Sequence, residues 1–114
     1  MAAPELEAVL KEQPWSPTDA TRMIREVAKS DELDIIATRH AREQMLERSL
    51  IMGDVLYVLK HGFVYDEPQN STRAGCYKYA IQSRSPNSGS RTVRVIAIPA
   101  DRRSIKIVTV MWVD

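Results

Sequence analysis

The chain has 114 residues, 44% hydrophobic and 27% charged, with 16 basic against 15 acidic side chains and a net charge of +1. That length supports one hydrophobic core and leaves no room for a second, and the near-neutral balance excludes a protein whose affinity comes from a strong overall positive field. The charge is nonetheless uneven: residues 1–62 carry eight basic and eleven acidic side chains, net −3, whereas residues 63–114 carry eight and four, net +4.

Residues 1–15, with Pro4, Pro14 and glutamates around a short apolar pattern, read as a flexible N-terminal tail, and residues 16–114 as a single domain. Ser16-Pro17-Thr18-Asp19 is a helix start: a hydroxyl cap, a proline with φ preset, and a carboxylate near the positive end of the dipole. Ala20, Met23, Ile24, Val27 and Ala28 then fall on one stripe, so the helix should run to about Ser30. Leu33 to Ala37 is a short extended or linking piece. Thr38 caps a second helix from Arg39 to about Arg48, with Ala41, Met45 and Leu46 facing inward, and a third runs from about Gly53 to His61, where Gly62 is expected to end it in the left-handed conformation.

From Phe63 the pattern changes to period two with β-branched residues, predicting strands at Phe63–Asp66, Cys76–Ser83, Thr92–Ile98 and Ser104–Val113, joined by Pro-, Asn-, Ser- and Gly-rich hairpins. The last is almost continuously apolar and reads as a central strand buried on both faces. Helices followed by a meander predict an α+β domain in which the N-terminal helices pack on one face of a four-stranded antiparallel sheet. The lone Cys76, the absence of a basic-then-apolar leader and the lack of a long apolar run predict a cytoplasmic protein with no membrane span.

Among candidate chemical groups, His40 stands in the first turn of a helix, where a neutral imidazole can accept a proton; the bland alternative is a hydrogen bond to a loop carbonyl. Arg48 ends the same helix. Arg73, Lys78, Arg91, Arg94 and Lys106 are the basic complement of the strands, and Tyr77 and Tyr79 share one strand face. A tyrosine and an arginine meeting on the helix-free face could stack a base and hold a phosphate; otherwise they are ordinary polar residues on the wet side of a sheet. Thr109 is a hydroxyl in apolar company, a phosphate donor if an open groove lies beside it. His40, His61 and Cys76 lack metal-ligand spacing, and no Gly-rich phosphate loop or nucleophile elbow is present, so neither metal nor cofactor is expected.

Thr38-Arg-His-Ala-Arg-Glu-Gln-Met-Leu-Glu-Arg48, then Leu50-Ile-Met-Gly-Asp-Val55, Val58-Leu-Lys-His-Gly62 and the closing Val108-Thr-Val-Met-Trp112, resemble the DUF4258 domain family in order, over residues from about 15 to 114. Met52 departs from a position where that family often has Ser or Thr. The family looks like part of the wider RelE/ParE and barnase-like toxin group, in which helices pack on one side of a twisted antiparallel sheet. The resemblance implies a metal-independent endoribonuclease with an RNA substrate and an antitoxin partner, with His40, Arg48 and Thr109 at the matching positions. On this reading His40, Arg48, Arg94 and Thr109 are catalytic, and Arg73, Tyr77, Tyr79 and Arg91 bind substrate. The alternative is a non-catalytic protein-interaction module of the same fold.

Overall fold

The computed structural model describes residues 12–113. The expected flexible tail lies outside the described residues through position 11, but its last part is fixed, so the packed domain begins before the Ser16 cap. Trp15 is only 3% exposed and stacks on Tyr79 with ring centroids 5.3 Å apart. Gln13 Nε2 donates to the Pro99 carbonyl at 3.1 Å, and its Oε1 accepts from the Tyr79 hydroxyl at 3.1 Å. Removing an indole from water outweighs the disorder that the two neighbouring prolines suggest.

Three helices and six strands follow among the described residues: α1 (Pro17–Ala28), β1 (Asp34–Ala37), α2 (Arg39–Glu47), α3 (Met52–His61), β2 (Phe63–Val64), β3 (Gln69–Asn70), β4 (Tyr77–Ser83), β5 (Val93–Asp101) and β6 (Ser104–Trp112). The first two helix starts follow their sequence signals. Ser16 Oγ accepts from the Asp19 N–H at 3.2 Å, and Thr38 Oγ1 accepts from the Ala41 N–H at 3.1 Å. At α3 the N-cap is Ile51, which has no side-chain acceptor, so only half of a reciprocal box forms: the Ile51 N–H donates to Asp54 Oδ2 at 3.0 Å.

The sheet is mixed and six-stranded, which corrects the expected four-stranded antiparallel meander. Its order is β1-β6-β5-β4-β2, with β3 also on β4. The linking piece is the edge strand β1, which runs parallel to β6 with Ile35 opposite Ile105 and Ala37 opposite Ile107. Four residues between two helices carry too short an alternation to reveal this. The edge beyond β4 is broken into β2 and β3, pairing at Phe63–Gln82 and Gln69–Lys78. At the β5–β6 turn the strand continues through the buried Pro99 to Asp101, so the hairpin is shorter than expected.

All three helices lie on one side of the sheet, α3 over β4 and β5, α2 against β6, and α1 against α3 and β2. The core is built from cross-strand rows: Tyr79, Ala97 and Ile107 form one, Ile81, Val95 and Val110 another, and all six are buried. Between these rows β6 bulges, because Ile96 pairs with Thr109 but Ala97 pairs with Ile107, leaving Val108 extra. Two further expectations are corrected. Leu46 is 83% exposed, its place on the packed face of α2 being taken by Gln44. Gly62 is extended, at φ −78° and ψ 179°, rather than left-handed. Glycine is required there for space: a Cβ would lie 2.6 Å from the Val58 carbonyl oxygen and 2.9 Å from that of Gln82.

Candidate functional site

Period-two alternation turns Lys78, Ala80 and Gln82 of β4, Arg94, Ile96 and Ile98 of β5, and Lys106 of β6 away from the helices. β6 has a strand on each side but only one covered face, because Lys106 is exposed on the other. That helix-free face carries a cleft of about 370 Å³ in which Lys78, Lys106 and Thr109 surround an apolar floor that includes Ile96 and Met111. Ser71 and Thr72, from the segment between β3 and β4, add hydroxyls to its wall. Neither lysine is engaged in an ion pair among the described residues. The bulge bears on this, since the extra Val108 lets both Val108 and Thr109 line the cleft while Val110 still faces the core. The open groove on which a phosphate-donating role for Thr109 depended is therefore present.

Continuous with this cleft, and sharing Lys78, Ile96 and Met111 with it, is a smaller recess of about 190 Å³ bounded by Arg94, Asp66 and Glu67. Arg94 is oriented by its cross-strand neighbour, its Nε donating to Gln82 Oε1 at 3.0 Å.

α2 lies along the edge that β6 exposes once β1 has ended. The Thr38 N–H donates to the Ile107 carbonyl at 3.0 Å, and Gln44 Oε1 accepts from the Val110 N–H at 2.9 Å. These anchors set the helix level with the bulge. His40 falls between them in sequence, so its place along α2 corresponds to Val108 and Thr109 on the strand. The imidazole is exposed and does not line the cleft. Arg48 follows α2 with its side chain 33% exposed; one Nη is buried, lacks a hydrogen bond, and lies 3.6 Å from the Glu47 carboxylate.

The remaining sequence candidates are dispersed. Arg73 borders a small recess beside Cys76 and Lys106, next to the main cleft. Arg91 stands two residues before β5 with its guanidinium 4.0 Å from the Trp112 ring centroid, a cation–π contact away from the cleft. The tyrosines require a correction, because they face the helices. Tyr79 is fully buried and its hydroxyl accepts from the Trp15 N–H at 3.0 Å; Tyr77 shares that face and packs against the core. Burial pushes the Tyr79 phenol above its ordinary value, the Trp15 N–H offsetting part of the effect. Neither ring is available as a base-stacking platform on the open face.

The structure thus brings Arg94 and Thr109 to one face, sets His40 on the element flanking it, and leaves Arg48, Arg91, Tyr77 and Tyr79 elsewhere. The two lysines at the centre of the cleft belonged to the basic complement but were not singled out. Their signal was strand parity: Lys78 alternates with the partly buried Tyr77 and the buried Tyr79, and Lys106 stands between Ile105 and Ile107. Among the described residues, no three His, Cys, Asp or Glu side chains are grouped so as to hold a metal ion, and no helix is long and apolar enough to cross a membrane.

The chain belongs to the family whose model is described as a domain of unknown function (DUF4258), which matches residues 37–112. The match spans α2 through β6 and leaves out α1 and most of β1, a shorter stretch than the resemblance suggested. No curated protein and no solved structure matches the chain.

Proposed function

We propose that this domain is a RelE-like toxin, a metal-independent endoribonuclease that holds RNA on the helix-free face of its sheet. The observation that carries the reading is the gathering of Lys78, Lys106, Arg94 and Thr109 on the one sheet face that, among the described residues, no helix covers. Ammonium and guanidinium groups neutralise phosphate, and a threonine hydroxyl donates to a non-bridging oxygen. A basic sheet half in a chain that is near-neutral overall suits local rather than global attraction for RNA.

In the reaction, the ribose 2′-oxygen attacks the adjacent phosphorus and gives up its proton as the new P–O bond forms. The P–O5′ bond breaks and the leaving oxygen takes a proton, which yields a 2′,3′-cyclic phosphate and a free 5′-hydroxyl. His40 does not line the cleft, so on this reading the RNA passes over the edge of β6 beside α2, where the exposed imidazole handles the proton, while Lys78, Lys106 and Arg94 hold the phosphates on the open face and stabilise the charge of the pentacovalent phosphorus. On this reading the protein acts in the cytoplasm and is restrained there by a cognate antitoxin.

Purified wild type, His40→Ala and a Lys78→Ala/Lys106→Ala double variant, incubated with total RNA in the presence of a chelator, test the assignment. Cleavage by wild type only, with His40→Ala still binding RNA and the lysine variant not binding, is the expected result. Equal cleavage by wild type and His40→Ala removes the proton-transfer role.

A second reading, a non-catalytic interaction module, is favoured by a different observation. Phe63 and Tyr65 lie exposed at the short edge strand β2, their rings 6.2 Å apart, with the Arg25 guanidinium 4.5 Å from the Phe63 centroid. An edge strand with exposed aromatics suits a protein partner. Absence of cleavage together with a stable complex that Phe63→Ala/Tyr65→Ala dissolves would select it.

A further inference from the structure

We infer that the smaller recess is a guanine-reading subsite, in which Asp66 and Glu67 accept from the base and Arg94 donates to it, one step along the strand from the phosphate held by Lys78 and Lys106. The inference rests on the open face being an RNA site. Four charged side chains, Asp66, Glu67, Lys78 and Arg94, border a single hollow over Ile96 and Met111, yet no ion pair joins them. Asp66 and Glu67 make no hydrogen bond or ion pair among the described residues, and Arg94 makes only its Nε contact to Gln82. Opposite charges at one recess but unpaired are arranged for a ligand that presents donors and acceptors together.

Carboxylates next to an RNA-binding cleft oppose phosphate, so what they meet must be a donor. Guanine alone among the four neutral bases places two parallel N–H donors, N1–H and N2–H, on its Watson–Crick edge, the pattern a carboxylate accepts bidentately. Its O6 and N7 acceptors suit the guanidinium. Adenine and cytosine each present a ring-nitrogen acceptor beside their amino group, and uracil flanks its single N–H with two carbonyls, so each turns lone pairs toward a carboxylate. The floor of Ile96 and Met111 supplies an apolar surface for the purine face. Lys78, common to both hollows, places the phosphate beside the base rather than at a separate site.

Non-cleavable 2′-O-methyl oligouridines, each fluorescently labelled and carrying one central guanosine, adenosine, cytidine or uridine, measure this by anisotropy with the wild-type chain. The guanosine strand should bind about ten-fold tighter than the other three. Asp66→Ala/Glu67→Ala should abolish that preference while keeping the all-uridine affinity, whereas Lys78→Ala should weaken all four strands together. Asp66 and Glu67 are exposed, so an unchanged thermal midpoint of the variant is the accompanying check. Equal, salt-sensitive binding of the four strands by wild type would overturn the subsite and leave the RNA reading standing. No binding of any strand would overturn both. Free guanosine monophosphate binding as tightly as the guanosine strand would overturn the placement within a strand and assign the recess to a mononucleotide.

Discussion

At Gly62 the missing side chain is what lets α3 turn directly into the sheet, because the carbonyls of Val58 and Gln82 already occupy the space a methyl group would need. Gly62→Ala should therefore cost about 2 kcal/mol through overpacking, seen as a lower urea midpoint with an unchanged slope; a neutral result would mean that the two backbones can move apart. Tyr79 acts in the opposite way, by filling space. Its hydroxyl accepts from Trp15 and donates to Gln13, so Tyr79→Phe should lose about 1–2 kcal/mol and loosen the segment before Ser16. The pH dependence has a definite sign. Burial raises the folded-state phenol above its unfolded value, so this contribution is complete below about 10 and fades as pH climbs through the folded value. Alkaline unfolding curves of wild type and Tyr79→Phe should therefore converge with rising pH; a constant gap between them would contradict the assignment.

Among the elements, α3 is fixed to the β4–β5 turn by a buried polar cluster. Asp54 Oδ1 accepts from Ser85 Oγ at 2.6 Å while Oδ2 caps the helix through Ile51, and Ser88 Oγ closes the turn by accepting from the Ser85 N–H at 2.8 Å. Asp54→Ala strips two charge-assisted bonds at once and should cost about 2–4 kcal/mol. Thermal unfolding measures this, and a loss below half that range would mean that water replaces the carboxylate. How far the fold could be read from sequence follows from what each element depends on. α1 and α2 were legible because Ser16 and Thr38 carry their own caps, β4 because its alternation is long, and β6 because its run of apolar, β-branched residues is long. β1 was not, because its strand identity comes from Ile105 and Ile107 some seventy residues away. Gln44 was missed for the same reason, since a polar residue on the packed face of α2 makes sense only once the Val110 N–H needs a partner. For the candidate site, strand parity separated Lys78 from its neighbouring tyrosines but could not say which side the helices would cover. The covered side is the one where Tyr79 and Ile81 join Val55, Val58 and Leu59 of α3 in a single buried cluster.

At the scale of the whole molecule, the one layer of helices among the described residues leaves one sheet face bare, and three cationic side chains of the chain's basic half, Lys78, Arg94 and Lys106, lie on that face. Affinity built this way should be modest and steeply salt-dependent, because it draws on a few phosphate contacts rather than on the net charge of +1. Raising salt from 50 to 200 mM should weaken RNA binding by about ten-fold or more, and a flat response would exclude phosphate contacts as its source. The most direct test of the central claim is an amide chemical-shift map of the labelled protein titrated with a short non-cleavable RNA. The expected shifts fall on Lys78, Arg94, Ile96, Lys106 and Thr109, with the buried Tyr79, Ile81 and Val95 little changed. Shifts confined to the helices or to the Phe63–Tyr65 edge, or no shifts at all, would contradict an RNA site on the helix-free face.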